Sequence, residues 1–568
     1  MKLKSVVTVI DERLQPADPI RPHPTWGTRA FTGGVEGLLI VCLLLMGLRL
    51  STGLETVVDL GFFDETGYLY AGTHLPTVGL MPPAWAPLYG IWYFALAQLQ
   101  PDPVALYYLN YRILALGTPI LLYLLFRAYR LPRLFALLVA WFFLISVANL
   151  PLWPKPGSFA LCLLLMLLIA TRDLRTPTRS VLLLSVGTLL CAYVRPEYLL
   201  AAGLLFGMYL VLLWRQRRQV VLRVELLQVL FALMVAFGLI RLFGLAPLDR
   251  NNDRTFDAFA QHYALNWAAW NQSPIDPWTE YDVALINSFG SASSLSEAIR
   301  ANPGAIARHV ATNLSAYPIV LGQTFNPLLP AQVPWAASAS IWLLGTCASF
   351  GVLGGLTRQW GNLRTQLYAQ RLRLTIFGLL AAPAFSSALV IYPRTHYLLL
   401  QGVLLVLTAG LLLSGSPGNE RRSALVCSVS AIVLVALTPS LPTTWFGTPP
   451  ALYPHPNRST VEFIRSLQIT RRTTMLEDDG GYYVYLGDQF QRVGAEQKRT
   501  GLFSFLRERE ITLIVVSANL RRDKRYLDDP EWQALLADPG AAGFTRLAIP
   551  ATDRQILYRT SGGEGLTP

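Results

Sequence analysis

The sequence predicts a polytopic α-helical membrane protein of about eleven transmembrane helices, followed by a small extracytoplasmic α/β domain. Three observations carry this. Hydrophobic residues make up 53% of the 568 residues and charged residues only 14%, against about a quarter charged in soluble domains, and mean hydropathy is +0.39. Long apolar runs recur between residues 33 and 440, with arginines gathered in alternate connections between them. After Ser440 the chain turns polar and mixed in charge.

A helix needs about 20 apolar residues to cross the hydrocarbon core. The runs that qualify are 33–50, 106–126, 132–150, 157–171, 180–194, 196–214, 222–244, 335–356, 373–391, 396–415 and 423–440, the two around 180–214 being short and broken at Arg195-Pro196. Two further stretches, 84–99 and 312–330, are shorter, flanked by proline and rich in Trp and Tyr. They read as interfacial helices lying along the membrane.

Charge sets the orientation. With the N-terminus inside, the cytoplasmic segments carry 21 cations: Lys2, Lys4, Arg13, Arg21 and Arg29; Arg127, Arg130 and Arg133; Arg172, Arg175 and Arg179; Arg215, Arg217, Arg218 and Arg223; Arg358, Arg364, Arg371 and Arg373; Arg421 and Arg422. The short outer loops carry 3: Lys155, Arg195 and Arg394. The positive-inside rule then puts the N-terminus in the cytoplasm and the C-terminus outside. Counting 84–99 or 312–330 as a span would move an arginine cluster outside. The division is a cytoplasmic segment 1–32, a membrane domain 33–440 with outer loops 51–105 and 246–334, and an extracytoplasmic domain 441–568. The chain is expected in the inner or plasma membrane.

The C-terminal segment holds an amphipathic run at Thr460–Leu467, strand-like runs at Tyr482–Leu486, Ile511–Ser517 and around Gln555–Tyr558, and a helical pattern near Trp532–Ala537. That alternation suggests an α/β domain. The outer loop Ala246–Ser315, with its Trp, Tyr, Asn and Asp, is expected to contain helices. The pI near 9.5 does not point to nucleic acid, because most cations sit in short connections between apolar runs. Cys42, Cys162, Cys191, Cys347 and Cys427 all lie in or beside apolar runs, so neither a disulfide framework nor a CxxC metal spacing is present. The first apolar run begins only near Val35 with no small-residue cleavage pattern after it, so no cleavable signal peptide is expected.

The chemistry concentrates in the first outer loop. From Leu50 to Tyr111 there is no lysine or arginine, and Asp64-Glu65 stands near the start of that stretch. A paired carboxylate close to the bilayer surface suits a general base for a lipid-borne substrate. The neighbouring carboxylate would tune its charge or bind an acceptor or metal. Equally, Asp and Glu can simply cap a helix and stabilise its first turn. Tyr68, Tyr70, His74 and the segment Pro82-Pro83-Ala84-Trp85-Ala86-Pro87-Leu88-Tyr89 follow, which suits a loop that docks a sugar.

Lys155, in Pro154-Lys155-Pro156, Arg195, in Arg195-Pro196-Glu197, and Arg394, in Tyr392-Pro393-Arg394-Thr395-His396-Tyr397, run against the inside preference. Each either snorkels from a helix end or belongs to an anion site at the outer leaflet, where Arg grips phosphate bidentately and Lys acts as a point charge. Arg394 is the leading candidate because His396 and Tyr397 add donors beside it. Glu197 is placed to pair with Arg195.

Asp64-Glu65 with Tyr68, then Pro87-Leu88-Tyr89, Arg112 early in the next span, and Arg394-Thr395-His396-Tyr397-Leu398-Leu399 opening a late span resemble the GT-C superfamily of integral membrane glycosyltransferases. The nearest patterns are those of protein O-mannosyltransferases and the lipid A aminoarabinose transferase. The resemblance implies a GT-C-like fold, a polyprenyl-phosphate sugar donor, Asp64 as catalytic base with Glu65 beside it, and Arg394 on the donor phosphate. It places Lys155, Arg195 and His396 as further phosphate ligands, and Tyr68, His74, Tyr89, Arg112, Glu197 and Tyr397 around the substrates. The acceptor is a hydroxyl on a lipid, glycan or protein. One departure stands out: no second-loop acidic pair of the kind oligosaccharyltransferases use for metal is present, and Pro154-Lys155-Pro156 occupies that region. A divalent metal is therefore not supported, and no other cofactor is indicated.

With one base and a good leaving group, in-line attack inverts the anomeric centre, whereas retention requires a second carboxylate as nucleophile. Two other classes stay open. A polyprenyl-linked saccharide flippase or transporter would carry ionisable residues within its spans and often internal repeats, and the spans here are nearly free of charge. An O-antigen ligase or polymerase would work on lipid-linked glycan without the Asp-Glu loop.

Overall fold

The computed structural model describes residues 26–146, 148–149, 156–172, 176–216, 222–245, 254–325, 364–413, 420–438, 440–441 and 455–559. Lys155 and the expected span 335–356 lie outside the described residues. Among the latter, five helices are long and apolar enough to cross a membrane, at Gly33–Thr56, Pro103–Ala128, Tyr198–Gln216, Val224–Phe243 and Arg364–Val390. Shorter apolar helices occupy Arg133–Leu144, Pro156–Ala170, Pro177–Ala192, Leu399–Leu412 and Ala424–Leu437. The architecture is thus a mostly helical membrane bundle with a small C-terminal sheet. The run 132–150 is helical only to Leu144, shorter than a full crossing.

Helix starts follow local chemistry. Pro103, Pro303 and Pro530 open helices, where a missing N–H costs nothing, and Asp102, Asn302 and Asp529 before them accept the orphan N–H groups of Ala105, Ala305 and Glu531. At one end of the bundle Glu36 accepts from Arg127 Nε at 3.0 Å and from Arg133 Nε at 2.9 Å, with the Tyr123 hydroxyl donating to its other oxygen. Three helices are tied by one carboxylate there, and its loss would strand two guanidinium groups at a cost of about 3–5 kcal/mol.

The stretch 84–99 differs from expectation. Its helix, Pro87–Ala97, packs one face against the helix Asp64–Thr73, with Tyr89 and Tyr93 fully buried. Tyr89 and Tyr93 thus serve an interior. The 312–330 stretch begins inside a longer helix, Pro303–Thr324.

The C-terminal unit is a five-stranded sheet of order β2-β1-β3-β5-β4, made of β1 (Thr473–Glu477), β2 (Phe490–Gly494), β3 (Ile511–Val516), β4 (Thr545–Ala548) and β5 (Gln555–Tyr558). β1 runs parallel to both β2 and β3, and β5 is antiparallel to β3 and β4. The run Tyr482–Leu486, expected as a strand, is a short helix. It connects the parallel neighbours β1 and β2, and such a connection must cross over rather than pair. β3 is buried at every position but Thr512, which explains its apolar run Leu513–Val516. Its alternate residues divide between two cores. Leu513 and Val515 join Met475, Ile556 and Tyr558 in a core continuous with the helical bundle, and Ile514 and Val516 pack with Leu476, Phe505 and Trp532 on the far side. The sheet is therefore docked on the bundle by one whole face.

Candidate active site

Asp64 opens the helix Asp64–Thr73, and the residue before it, Phe63, has φ 58° and ψ −118°. A bulky residue with positive φ is a genuine outlier, worth about 1–3 kcal/mol of strain, and such outliers cluster at functional sites. The turn sends the two carboxylates apart. Asp64 is half exposed, its side chain 47% accessible. Glu65 is buried and accepts from the Tyr89 hydroxyl at 3.0 Å and from the Tyr93 hydroxyl. Asn110 donates to both phenols, at 2.7 and 2.9 Å, and takes a bond from Trp92 at 2.8 Å. Glu65 and Tyr89 thus sit in a network that joins three helices beneath Asp64, and they do not face outward with it.

Asp64 meets Arg254. The guanidinium donates to Asp64 Oδ2 at 3.2 Å, to the Tyr68 hydroxyl at 3.3 Å and to the Ala84 carbonyl at 2.9 Å, and it lies 3.8 Å from the Trp85 ring centroid. Sequence reasoning missed Arg254. A cation stands out only in a short loop, because long loops translocate regardless of charge, and Arg254 sits in a long one.

A second group borders the first. Arg195 pairs with Glu197 at 2.9 Å and lies 4.6 Å over the Tyr397 ring. Arg394 lies 4.6 Å over Trp278, and among the described residues it has no carboxylate within ion-pair distance. His396 stacks on Tyr397 at 4.2 Å. The groups communicate: burial pushes the Tyr68 phenol up, and Arg254, Asp64 and Arg195 all lie within its electrostatic reach. Asp64, Tyr392 and Tyr397 act likewise on Arg394. Asp64, Tyr68, Arg195, Glu197, Arg394, His396 and Tyr397 thus gather at one end of the bundle, joined by Arg254 and Trp278. The described part holds more cationic than anionic groups. An uncompensated, half-buried guanidinium is costly, so the arrangement favours an anionic ligand.

His262, also missed, is 4% exposed and lies 5.5 Å from Trp278 and 5.9 Å from Tyr392. Its Nδ1 donates to the Ala258 carbonyl and its Nε2 is buried without a hydrogen-bond partner. Burial and the Arg394 charge bring its pKa down to about 4, so it is neutral. No residue pattern marked this histidine, because the aromatic cage that buries it comes from two distant segments.

Besides Tyr89, two expected substrate residues lie elsewhere. His74 binds Asp488 of the C-terminal unit at 2.7 Å and stacks on Tyr70. Arg112 pairs with Glu55 at the end of the first apolar helix. Each is satisfied by a charged partner within the fold. Among the described residues no group of three His, Cys, Asp or Glu side chains is arranged to hold a metal.

No family profile and no curated protein matches the chain. Among solved structures, the apo form of ArnT from Cupriavidus metallidurans aligns over 93% of this chain and 98% of that one, at 13% identity and a TM-score of 0.37.

Proposed function

We propose that the protein is a GT-C-type membrane glycosyltransferase that moves a sugar from a polyprenyl-phosphate donor to an acceptor hydroxyl on the extracytoplasmic side. The observation that carries this reading is a half-exposed carboxylate, Asp64, held by Arg254, with Arg394, a guanidinium that has no carboxylate partner among the described residues, within its electrostatic reach. Both belong to segments that the charge asymmetry assigns outside the membrane. A base and an anion site together, at headgroup depth, are the parts that transfer from a lipid phosphate requires.

In this reading the acceptor O–H loses its proton to Asp64 as its oxygen attacks the anomeric carbon. The bond from that carbon to the phosphate oxygen breaks, and the polyprenyl phosphate departs with the electron pair. Arg394 stabilises the charge that develops there. Arg254 and Tyr68 keep Asp64 aimed, and Glu65 anchors the helix that carries it. Trp278 and Tyr397 supply aromatic faces for a sugar ring. One base without a nucleophilic partner supports inversion.

The test is mass spectrometry of glycans and prenyl lipids from a deletion strain. Loss of one glycan modification, with build-up of its prenyl-phosphate donor on the outer leaflet, is expected. Build-up on the cytoplasmic leaflet would instead identify a flippase.

A further inference from the structure

The C-terminal unit reaches the turn that carries Asp64. Thr66 Oγ1, two residues beyond Asp64, lies 2.8 Å from the Phe63 carbonyl and 2.9 Å from the Gly480 carbonyl. Phe62 packs edge-on against Tyr482 at 4.6 Å and beside Tyr485 at 5.8 Å, and the Tyr485 hydroxyl donates to the Gly61 carbonyl at 2.8 Å. The contact is close enough to demand glycine. A Cβ on Gly481 would stand 2.5 Å from Phe62 Cδ1 and 2.9 Å from Thr66 Cγ2, and Gly480 has φ +67°.

Around this contact the docking is extensive. Asp59 accepts the N–H groups of Asn457 at 3.0 Å and Arg458 at 2.9 Å, capping the helix Pro456–Ser466. Arg465 pairs with Asp102 at 2.8 Å, and His74 with Asp488. These bonds grip both sides of residues 61–66. Between them lies Phe63, with its strained backbone. A strained residue persists only where its surroundings over-determine it: here its own helix holds the Phe63 carbonyl through Thr66 and Gly67, and the C-terminal unit holds the flanking Gly61, Phe62 and Thr66.

We infer that the Gly480-Gly481 turn of the C-terminal unit is a positioning element for Asp64, so that this unit is a working part of the active site and not a passive appendage. The inference rests on the reading of Asp64 as the base. Displacing a reacting group by about 1 Å can cost about a hundredfold in rate, and a methyl group wedged between Gly481 and Phe62 would force a shift of that order.

Three variants of the full-length protein test it: Gly481→Ala, Thr66→Val and the conservative Thr66→Ser. Two measurements are made. Hydrogen exchange is followed in residues 61–69 and, as a control on the integrity of the sheet, in β3. Restoration of the glycan signal lost in the deletion strain is measured per mole of membrane-inserted protein. Gly481→Ala and Thr66→Val should speed exchange in 61–69 about tenfold or more, leave β3 unchanged and cut restoration at least tenfold, with Thr66→Ser close to wild type. Exchange in 61–69 unchanged in both disruptive variants, or restoration at wild-type rate despite faster exchange, overturns the inference. So does loss confined to a Gly481→Ala protein whose β3 has also opened, with Thr66→Val normal. Failure of the base reading is seen separately: Asp64→Asn would restore the glycan fully, while the exchange result would still report whether the turn is held.

Discussion

Arg254 Nη2 stands 3.2 Å from Asp64 Oδ2, a bond that spans 190 residues of sequence and joins two connections far apart in the chain. The pair is too exposed to matter much for stability, since half-exposed ion pairs contribute about 0–1 kcal/mol. Its value is in placement, because the same guanidinium also holds the Tyr68 hydroxyl and the Ala84 carbonyl. Arg254→Ala should therefore lower turnover about 10- to 100-fold while melting within a few degrees of wild type. Arg254→Lys, which keeps the charge but not the fork, should fall between. A large drop in melting temperature that accounts for all the lost activity would contradict a placement role.

The two neighbouring carboxylates should separate by phenotype. Asp64→Asn keeps size and removes the base, so transfer should fall by about 10²–10⁴ with the fold intact. Glu65→Gln leaves two buried phenols facing an amide, so it should destabilise by about 1–3 kcal/mol and lose activity in proportion. Melting curves and turnover on the same preparations decide between these patterns. Wild-type turnover in Asp64→Asn would make Asp64 a helix cap.

Arg394 should bind the donor phosphate. Arg394→Ala should weaken donor binding more than Arg394→Lys does, since the lysine keeps the charge and loses only bidentate geometry. Arg195→Ala is a different perturbation, because Glu197 would be left partly buried and without its partner, and it should cost stability first. Titration with a prenyl phosphate such as farnesyl phosphate reads this directly. Normal binding by Arg394→Ala, alongside failure of Lys155→Ala, would assign the phosphate to the wrong cation.

The 21-to-3 cation count predicts that the N-terminus and the connection at Gly418 lie in the cytoplasm and residue Thr448 outside. Reporter fusions at Gly418 and Thr448 should give opposite signals. A cytoplasmic signal from Thr448 would invert the topology, and with it the sidedness of the site.

The acidic end of β1 should make stability fall with pH. Burial pushes the Glu477 carboxyl up to about 7 and that of Asp478 up to about 6. Between the unfolded value and the folded one, the native chain holds a proton that the unfolded chain has lost. Stability therefore declines as pH rises through roughly 4.5 to 7 and levels off above that. Glu477→Gln removes the titration and keeps an acceptor for the Tyr482 N–H, bonded at 2.9 Å. It should gain on wild type by about 1–3 kcal/mol between pH 5 and pH 8. Melting of the full-length protein at both pH values measures this, and an equal difference at the two would show that Glu477 does not titrate there.

What was legible in the sequence was local. An apolar run that must satisfy its own backbone hydrogen bonds becomes a helix whatever surrounds it, so ten of the eleven expected runs reappear as apolar helices, the other lying outside the described residues. The run Ile511–Val516 was legible as a buried strand because both its faces are covered. Asp64 and Arg394 stood out because charge is rare where they lie. The partners were not legible. The roles of Arg254 and His262, the inward turn of Glu65 and the grip of Gly480-Gly481 on Thr66 all depend on contacts between segments far apart in the chain. Only packing brings such segments together, since hydrogen bonding and close contact depend on distance in space, which a linear pattern does not encode. The sequence by itself determined the membrane helices and the exceptional charges; the tertiary structure decided which carboxylate faces the cations and which is buried to hold it there.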